Sequence, residues 1–265
     1  QNTFEFSIKD AQREHYLVEY QYRILPCAMP EEDWELYKTF SREIVQLQHT
    51  LEQEDNEKEQ LRLRQRIEGR YRDRAKLLKK NDQKAQTLQT IFDEIPPTAR
   101  VLIYGDDLHH LAEIGQALDH MGKYYFKYTG ELDAQKERLT ILKEFRQGIR
   151  KILLAIGCLD EGIDIPACDV AVFISSSTSE RQFIQRRGRV LRVAPGKTSA
   201  WIYDYLVYPI LSARTNDDER RLALSMIDAQ YRRINLMVED AINGIQERQK
   251  LDQFLSQRRL NPYDF

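Results

Sequence analysis

Cysteine is scarce in this 265-residue chain: it has three, Cys27, Cys158 and Cys168, and none of their spacings fits a zinc site or a disulfide framework. That scarcity favours a reducing compartment, and the cytoplasm, bacterial cytoplasm or nucleoid before nucleus, is the expected location. No run of apolar residues approaches the roughly 20 that a membrane-crossing helix needs, and no signal peptide is visible. Excess charge of one sign is missing too, with 40 Lys and Arg against 42 Asp and Glu. Binding to nucleic acid would therefore rest on a local patch and not on a global field. Glycine and proline are nearly absent between Glu31 and Glu94, which predicts long helices there. The chain opens on Gln1 in place of methionine, so it is expected to be a piece of a longer reading frame.

Two further absences bear on chemistry. A phosphate-cradling loop needs Gly-x-x-x-x-Gly-Lys-Thr after a strand, and Gly196-Lys197-Thr198 has Leu191 where the first glycine belongs. Pro195-Gly196 is instead expected to turn the chain into a strand from Ser199 to Asp204. An acidic Asp-Glu-Ala-Asp or Asp-Glu-x-His box is also missing, and Asp160-Glu161 is the acidic pair that could tempt a magnesium assignment.

What is present is concentrated in two segments. The run Gln185-Arg186-Arg187-Gly188-Arg189-Val190-Leu191-Arg192 places Arg189 and Arg192 three apart on an expected helix, side by side. Such a pair suits a phosphate, because guanidinium stays charged and offers a planar fork of donors. A solvated basic helix face is the plainer alternative. Upstream, Lys151 to Ile156 is an apolar run expected as a strand covered on both faces. It leads through Gly162, which permits a tight turn, to Asp164, expected at the rim where strand carboxyl ends gather. A carboxylate there can accept bonds from ribose hydroxyls.

Together the two segments resemble motifs five and six of superfamily 2 helicases. The motif-six pattern Gln-x-x-Gly-Arg-x-x-Arg is matched at Gln185, Gly188, Arg189 and Arg192, and the Glu-Gly-Ile-Asp-Ile-Pro run 161–166 is most like DNA translocases of the repair and restriction type. The resemblance covers roughly Arg100 to Tyr208. It implies the second of two RecA-like motor domains, with an ATP site shared with an N-terminal RecA-like domain and magnesium held by that other domain. By the same resemblance Arg189 and Arg192 are catalytic fingers reaching the γ-phosphate, Gln185 holds the finger helix near the nucleotide, and Gly162 with Asp164 frames the ribose. DNA, or RNA as the alternative, is the implied track, and a non-catalytic scaffold holding a protein partner is the rival of another class.

Thr129-Gly130 matches the family position where a small-residue turn approaches the nucleic-acid backbone; a plain turn with a helix cap is equally consistent. Motif five usually begins Ala-Thr, and here Ala155 is followed by Ile156. Contact at that point is left to amides or to another residue, with Gly157 the assigned position.

Four regions are expected: a connector over 1–30, a helical hairpin over 31–97, a RecA-like parallel sheet flanked by helices over 98–209, and a helical extension over 210–265. In the connector, Ser7 or Asp10 can cap a short helix before an extended stretch from Tyr16 to Leu25. In the hairpin, Trp34, Tyr37, Phe40, Ile44, Leu47 and Leu51 mark one buried stripe, and a break near Gln53 to Asn56 allows a return. The second helix has an apolar seam of Leu61, Leu63, Ile67, Tyr71 and Leu77 and is basic on most other faces. Those basic residues could track phosphates or pair with the acidic Glu52 to Glu59. Strands are expected at Arg100–Tyr104, Tyr124–Lys127, Lys151–Ile156, Val170–Ser175 and Ser199–Tyr203, with a helix capped by Asp106 or Asp107 and running to His120, and helices Asp133–Gln147 and Ser179–Arg192, between some of them. Alternation of this kind predicts a parallel sheet with right-handed crossovers. His109 and His110 point about 100° apart on a helix and are expected at the surface. Residues Asp217 to Arg258 are expected as a long, kinked closing helix packed on the hairpin, with its methionines in the core.

Overall fold

In the computed structural model, which describes residues 7–79, 83–129, 135–156, 168–175 and 180–263, one six-stranded sheet organises the chain. Its strands are β1 (Glu19–Met29), β2 (Val101–Tyr104), β3 (Phe126–Tyr128), β4 (Ile152–Ala155), β5 (Val170–Phe173) and β6 (Ser199–Pro209). They lie in the order β1-β6-β5-β2-β4-β3, and every neighbouring pair is parallel. β2, β4 and β5 are buried at every position, as their unbroken apolar sequences require of strands covered on both faces. Helices α6 (Leu108–His120), α7 (Gln135–Arg146) and α8 (Glu180–Val190) follow β2, β3 and β5. Asp107 starts α6 by accepting from the His110 amide at 2.9 Å.

The connector is part of the sheet. Helix α1 (Ile8–Arg13) opens with a capping box between Ser7 and Asp10. β1 then runs alongside β6 for eleven residues, from Glu19 opposite Ser199 to Met29 opposite Pro209. Among the described residues its far edge has no strand partner. Instead Asn243 bonds both polar groups of the Tyr22 backbone at 2.8 and 2.9 Å, the Ile242 amide donates to the Tyr20 carbonyl, and Glu247 accepts from the Ile24 amide. Two side chains and one backbone amide thus satisfy part of an edge that would otherwise invite another chain.

The hairpin is α2 (Glu31–Glu52) and α3 (Glu57–Lys79), with the break at the expected place, followed by the short α4 (Gln83–Gln86) and α5 (Leu88–Glu94). Trp34 and Tyr37 of α2 join the main core, Ile44 of α2 and Leu63 and Ile67 of α3 are buried, and Leu61 and Tyr71 of the expected seam are exposed.

The closing region departs from one long helix. It forms α9 (Asp217–Val238) and α10 (Gly244–Gln257), and the break between them supplies Ile242 and Asn243 to the β1 edge. α9 and α10 lie on β6 and β1, and the hairpin is reached by the Lys38–Glu219 ion pair at 2.7 Å. Met226 and Met237 are core residues, as expected.

Candidate nucleotide and nucleic-acid edges

A parallel sheet has two distinct ends, and the candidate residues divide between them. α8 leaves the carboxyl end of β5 and runs back to the amino end, where β1 and β6 begin. It is held on the sheet by Phe183, whose ring lies 4.9 Å from Phe173, itself 5.2 Å from Tyr104, and by buried Val190 and Leu191. Arg186 and Arg187 belong to the interior. Arg186 lies 5.1 Å over the Tyr104 ring. Arg187 Nη1 donates to the Leu236 carbonyl at 2.7 Å and to Asp240 at 3.1 Å, and reaches the Tyr20 hydroxyl at 3.4 Å. Burial, offset in part by this neighbour, pushes the Tyr20 hydroxyl up to about 12.

Arg189 is half-buried and Gln185 and Arg192 are exposed. The helix stops at Val190, so Arg192 does not stand beside Arg189 on one helical face as the spacing suggested. The Val18 amide donates to the Leu191 carbonyl at 2.8 Å, and Arg192 forms an antiparallel bridge with Leu17. The connector thus supplies a donor for the Leu191 carbonyl, which Pro195 four residues on could not.

Lys197, the lysine of the apparent phosphate loop, has a different task. Gly196 sits at φ +77 in a turn, no helix follows, and β6 begins at Ser199 as expected. Lys197 is buried, and its Nζ donates to the Val190 carbonyl at the end of α8. Burial pushes this lysine's pKa down. Nothing in the spacing separates such a helix-closing lysine from a phosphate ligand. At the same end Arg100 grips Asp169 through two bonds of 2.6 and 2.8 Å, tying the starts of β2 and β5. Burial raises the Asp169 carboxyl, but the Arg100 bonds outweigh it and leave its pKa below the usual value. A cleft of about 1000 Å³ opens here, bordered by Arg13, Leu17, Val193, Lys197 and Asp240.

The carboxyl end of the sheet holds the other set. Thr129 directly follows β3 but is buried, so its hydroxyl does not stand at the surface. Ala155 and Ile156 lie at the end of β4. Gly130, Gly157, Gly162 and Asp164 fall outside the described residues. The base of the hairpin is fastened to this end: Lys79 pairs with Asp106 at 2.8 Å, and Lys84 Nζ donates to the Leu78 and Ile174 carbonyls at 2.6 and 2.9 Å. Burial pushes Lys84 down to about 7. No sequence signal marked Lys84, Arg187 or Lys197 as structural, because each lies far along the chain from at least one of its partners or sits in a misleading motif. His110, expected at the surface, is buried and accepts from the Asp106 amide at 3.3 Å, while His109 is exposed.

Guanidinium groups at the amino end suit a phosphate. Among the described residues no group of three His, Cys, Asp or Glu could hold a metal ion, and no helix is long and apolar enough to cross a membrane.

Residues 83–194 match the family described as the helicase conserved C-terminal domain. Dicer-like protein 2 of Aspergillus terreus is 40% identical over 63 residues, 24% of this chain and 5% of that protein. DNA 3'-5' translocase XPB2 of Sulfurisphaera tokodaii is 41% identical over 56 residues, 21% of this chain and 13% of that protein. The matched stretches are thus small parts of much longer relatives. The crystal structure of the C-terminal part of the Fun30 ATPase domain superposes with a TM-score of 0.54, covering 82% of this chain and 99% of that one at 11% identity. That likeness speaks to the fold alone.

Proposed function

We propose that the chain, of which residues 83–194 match the helicase conserved C-terminal domain, is the second, RecA-like motor domain of an ATP-dependent superfamily 2 DNA translocase whose ATP site is completed by an N-terminal RecA-like domain. One observation carries the reading: α8 commits Arg186 and Arg187 to the interior yet leaves Arg189 half-buried and Arg192 exposed at the amino end of the sheet. An exposed arginine placed just past a fixed helix can meet a phosphate supplied by a facing domain.

In this reading Arg192 and Arg189 neutralise charge on the transferring phosphoryl group, and Gln185, Gly162 and Asp164 hold the nucleotide's remaining contacts. Bound ATP with magnesium supplies the phosphoryl group and its counter-charge. Arg187, clamped by Asp240 and the Leu236 carbonyl, keeps α8 from turning as the cleft closes. Thr129, Gly130 and Gly157 form the nucleic-acid side, with amides as the expected donors because Thr129 is buried.

The test uses the full-length protein. Arg192→Ala should lower ATP turnover by about a thousandfold, within the range for loss of an arginine finger, with the thermal midpoint unchanged. Near-normal turnover would remove the finger assignment, whereas an absence of ATP turnover in the full-length parent would leave a non-catalytic scaffold as the better account. Stimulation of the ATPase by RNA oligonucleotides and not by DNA would replace the track.

A further inference from the structure

The hairpin helix α3 carries charge for which the fold has no internal use. It holds nine Lys and Arg against four Asp and Glu, in a chain whose net charge is −2. Positions 58, 62, 66, 69, 72 and 76 follow one another at steps of three and four residues, so they share one helical face about 27 Å long at 1.5 Å per residue. Those positions are Lys58, Arg62, Arg66, Gly69, Arg72 and Lys76, and all five cations are exposed. The opposite face, at 63, 67, 70 and 74, is spent on α2. There Leu63 and Ile67 are buried, Arg70 pairs with Glu43, and Arg74 lies 5.2 Å over the Tyr37 ring and bonds Ser41. On the outer face Arg62 meets Glu59 at 2.9 Å, while Lys58, Arg66, Arg72 and Lys76 make no ion pair among the described residues.

Gly69 is the second observation. A Cβ added there would meet nothing within 4 Å, so no packing constraint asks for glycine. A glycine inside a helix costs about 1 kcal/mol relative to alanine. Its place is the middle of the basic face, where a missing side chain allows another backbone to come close.

We propose that this face of α3 is a second nucleic-acid site, which takes the phosphate backbone of a duplex without reading sequence. The proposal deepens the translocase reading and rests on it for the choice of polymer. A row of cations without an aromatic platform suits phosphates, whereas single strands are gripped by stacking of their bases. Tyr71, the aromatic residue of α3, is held between Arg74 at 5.1 Å and the Gln48 amide. Anionic membranes fit less well, because a membrane-lying helix needs apolar side chains beside its cations and those of α3 are mostly turned to α2. The hairpin's base is fastened through Lys79 and Lys84 to the ends of β2 and β5, so a duplex held on α3 would load the sheet's carboxyl end directly.

The experiment measures binding of this chain to a fluorescent DNA duplex, the same duplex in RNA, the single strand, and phosphatidylserine vesicles across a salt series. The parent should prefer duplex, and the variant Lys58→Gln, Arg62→Gln, Arg66→Gln, Arg72→Gln, Lys76→Gln should bind at least about tenfold more weakly. Its log-affinity against log-salt slope should fall by about 0.9 for each phosphate that the variant no longer neutralises. Glutamine is a good helix former, and circular dichroism verifies that α3 survives; if that variant fails to fold, Arg66→Gln with Arg72→Gln carries the same test. Exchanging the five cations between Lys and Arg should retain binding, and Gly69→Leu should weaken it severalfold. Equal affinity and slope for parent and glutamine variant, or tighter binding to vesicles than to duplex, would overturn the proposal. Loss of ATPase stimulation by nucleic acid in the full-length parent, with duplex binding by α3 intact, would remove the motor reading alone.

Discussion

Helices α3 and α8 are both rich in arginine, and the fold uses that residue in opposite ways. In α8 the arginines at 186 and 187 turn inward, one over the Tyr104 ring and one onto Asp240 and the Leu236 carbonyl. In α3 the arginines at 62, 66 and 72 face water, and those at 70 and 74 steady the return to α2. An arginine becomes structural when acceptors from distant parts of the chain converge on it, and remains available when its own helix is its main neighbour.

That contrast is most exposed at the amino end of the sheet, where under the proposed function Arg192→Ala is expected to cost the thousandfold in turnover given above. Next in size is Arg187→Ala, which strands Asp240 and opens a space under α8. It should cost about 3 kcal/mol in urea unfolding, as does removal of one partner of a largely buried ion pair; a loss below about 1 kcal/mol would show that the clamp carries no stability. Smaller again, Gly69→Ala should stabilise the chain by about 1 kcal/mol, since the added methyl meets open space. The mirror experiment is Arg66→Ala on α3, expected within about 0.5 kcal/mol of the parent because nothing in the fold leans on it.

The Arg100–Asp169 pair gives the amino end a pH signature. Its carboxyl titrates below the usual value in the folded chain, so the stability it contributes is present above about pH 4 and is lost as pH falls through the lowered pKa. Unfolding measured at pH 5 and pH 3 should show a smaller difference between the two for Arg100→Met than for the parent. Identical differences would rule out the pair as a source of acid sensitivity.

The parallel strands were legible in the sequence because a strand covered on both faces must be apolar throughout, and Val101–Tyr104, Ile152–Ala155 and Val170–Phe173 are. The hairpin was legible for the opposite reason: between Glu31 and Glu94 one glycine and no proline leave little but helix. The connector's place in the sheet was not, since pairing of Glu19–Met29 with Ser199–Pro209 joins segments from opposite ends of the chain. Nor was the pairing of Leu191 and Arg192 with Val18 and Leu17 just past α8, which joins segments as far apart.

The order of amino acids alone dictates most of the strands and helices, which residues could meet a phosphate, and the order of the two segments that resemble helicase motifs. Only folding settles which arginines are consumed and which are left at the surface, that Lys197 closes a helix, that His110 and Thr129 lie inside, and that the closing segment breaks to cover an edge strand. The reason is one of range. Helical and strand preferences are set by neighbours a few residues away, whereas the burial of a charge depends on acceptors that arrive from distant parts of the chain.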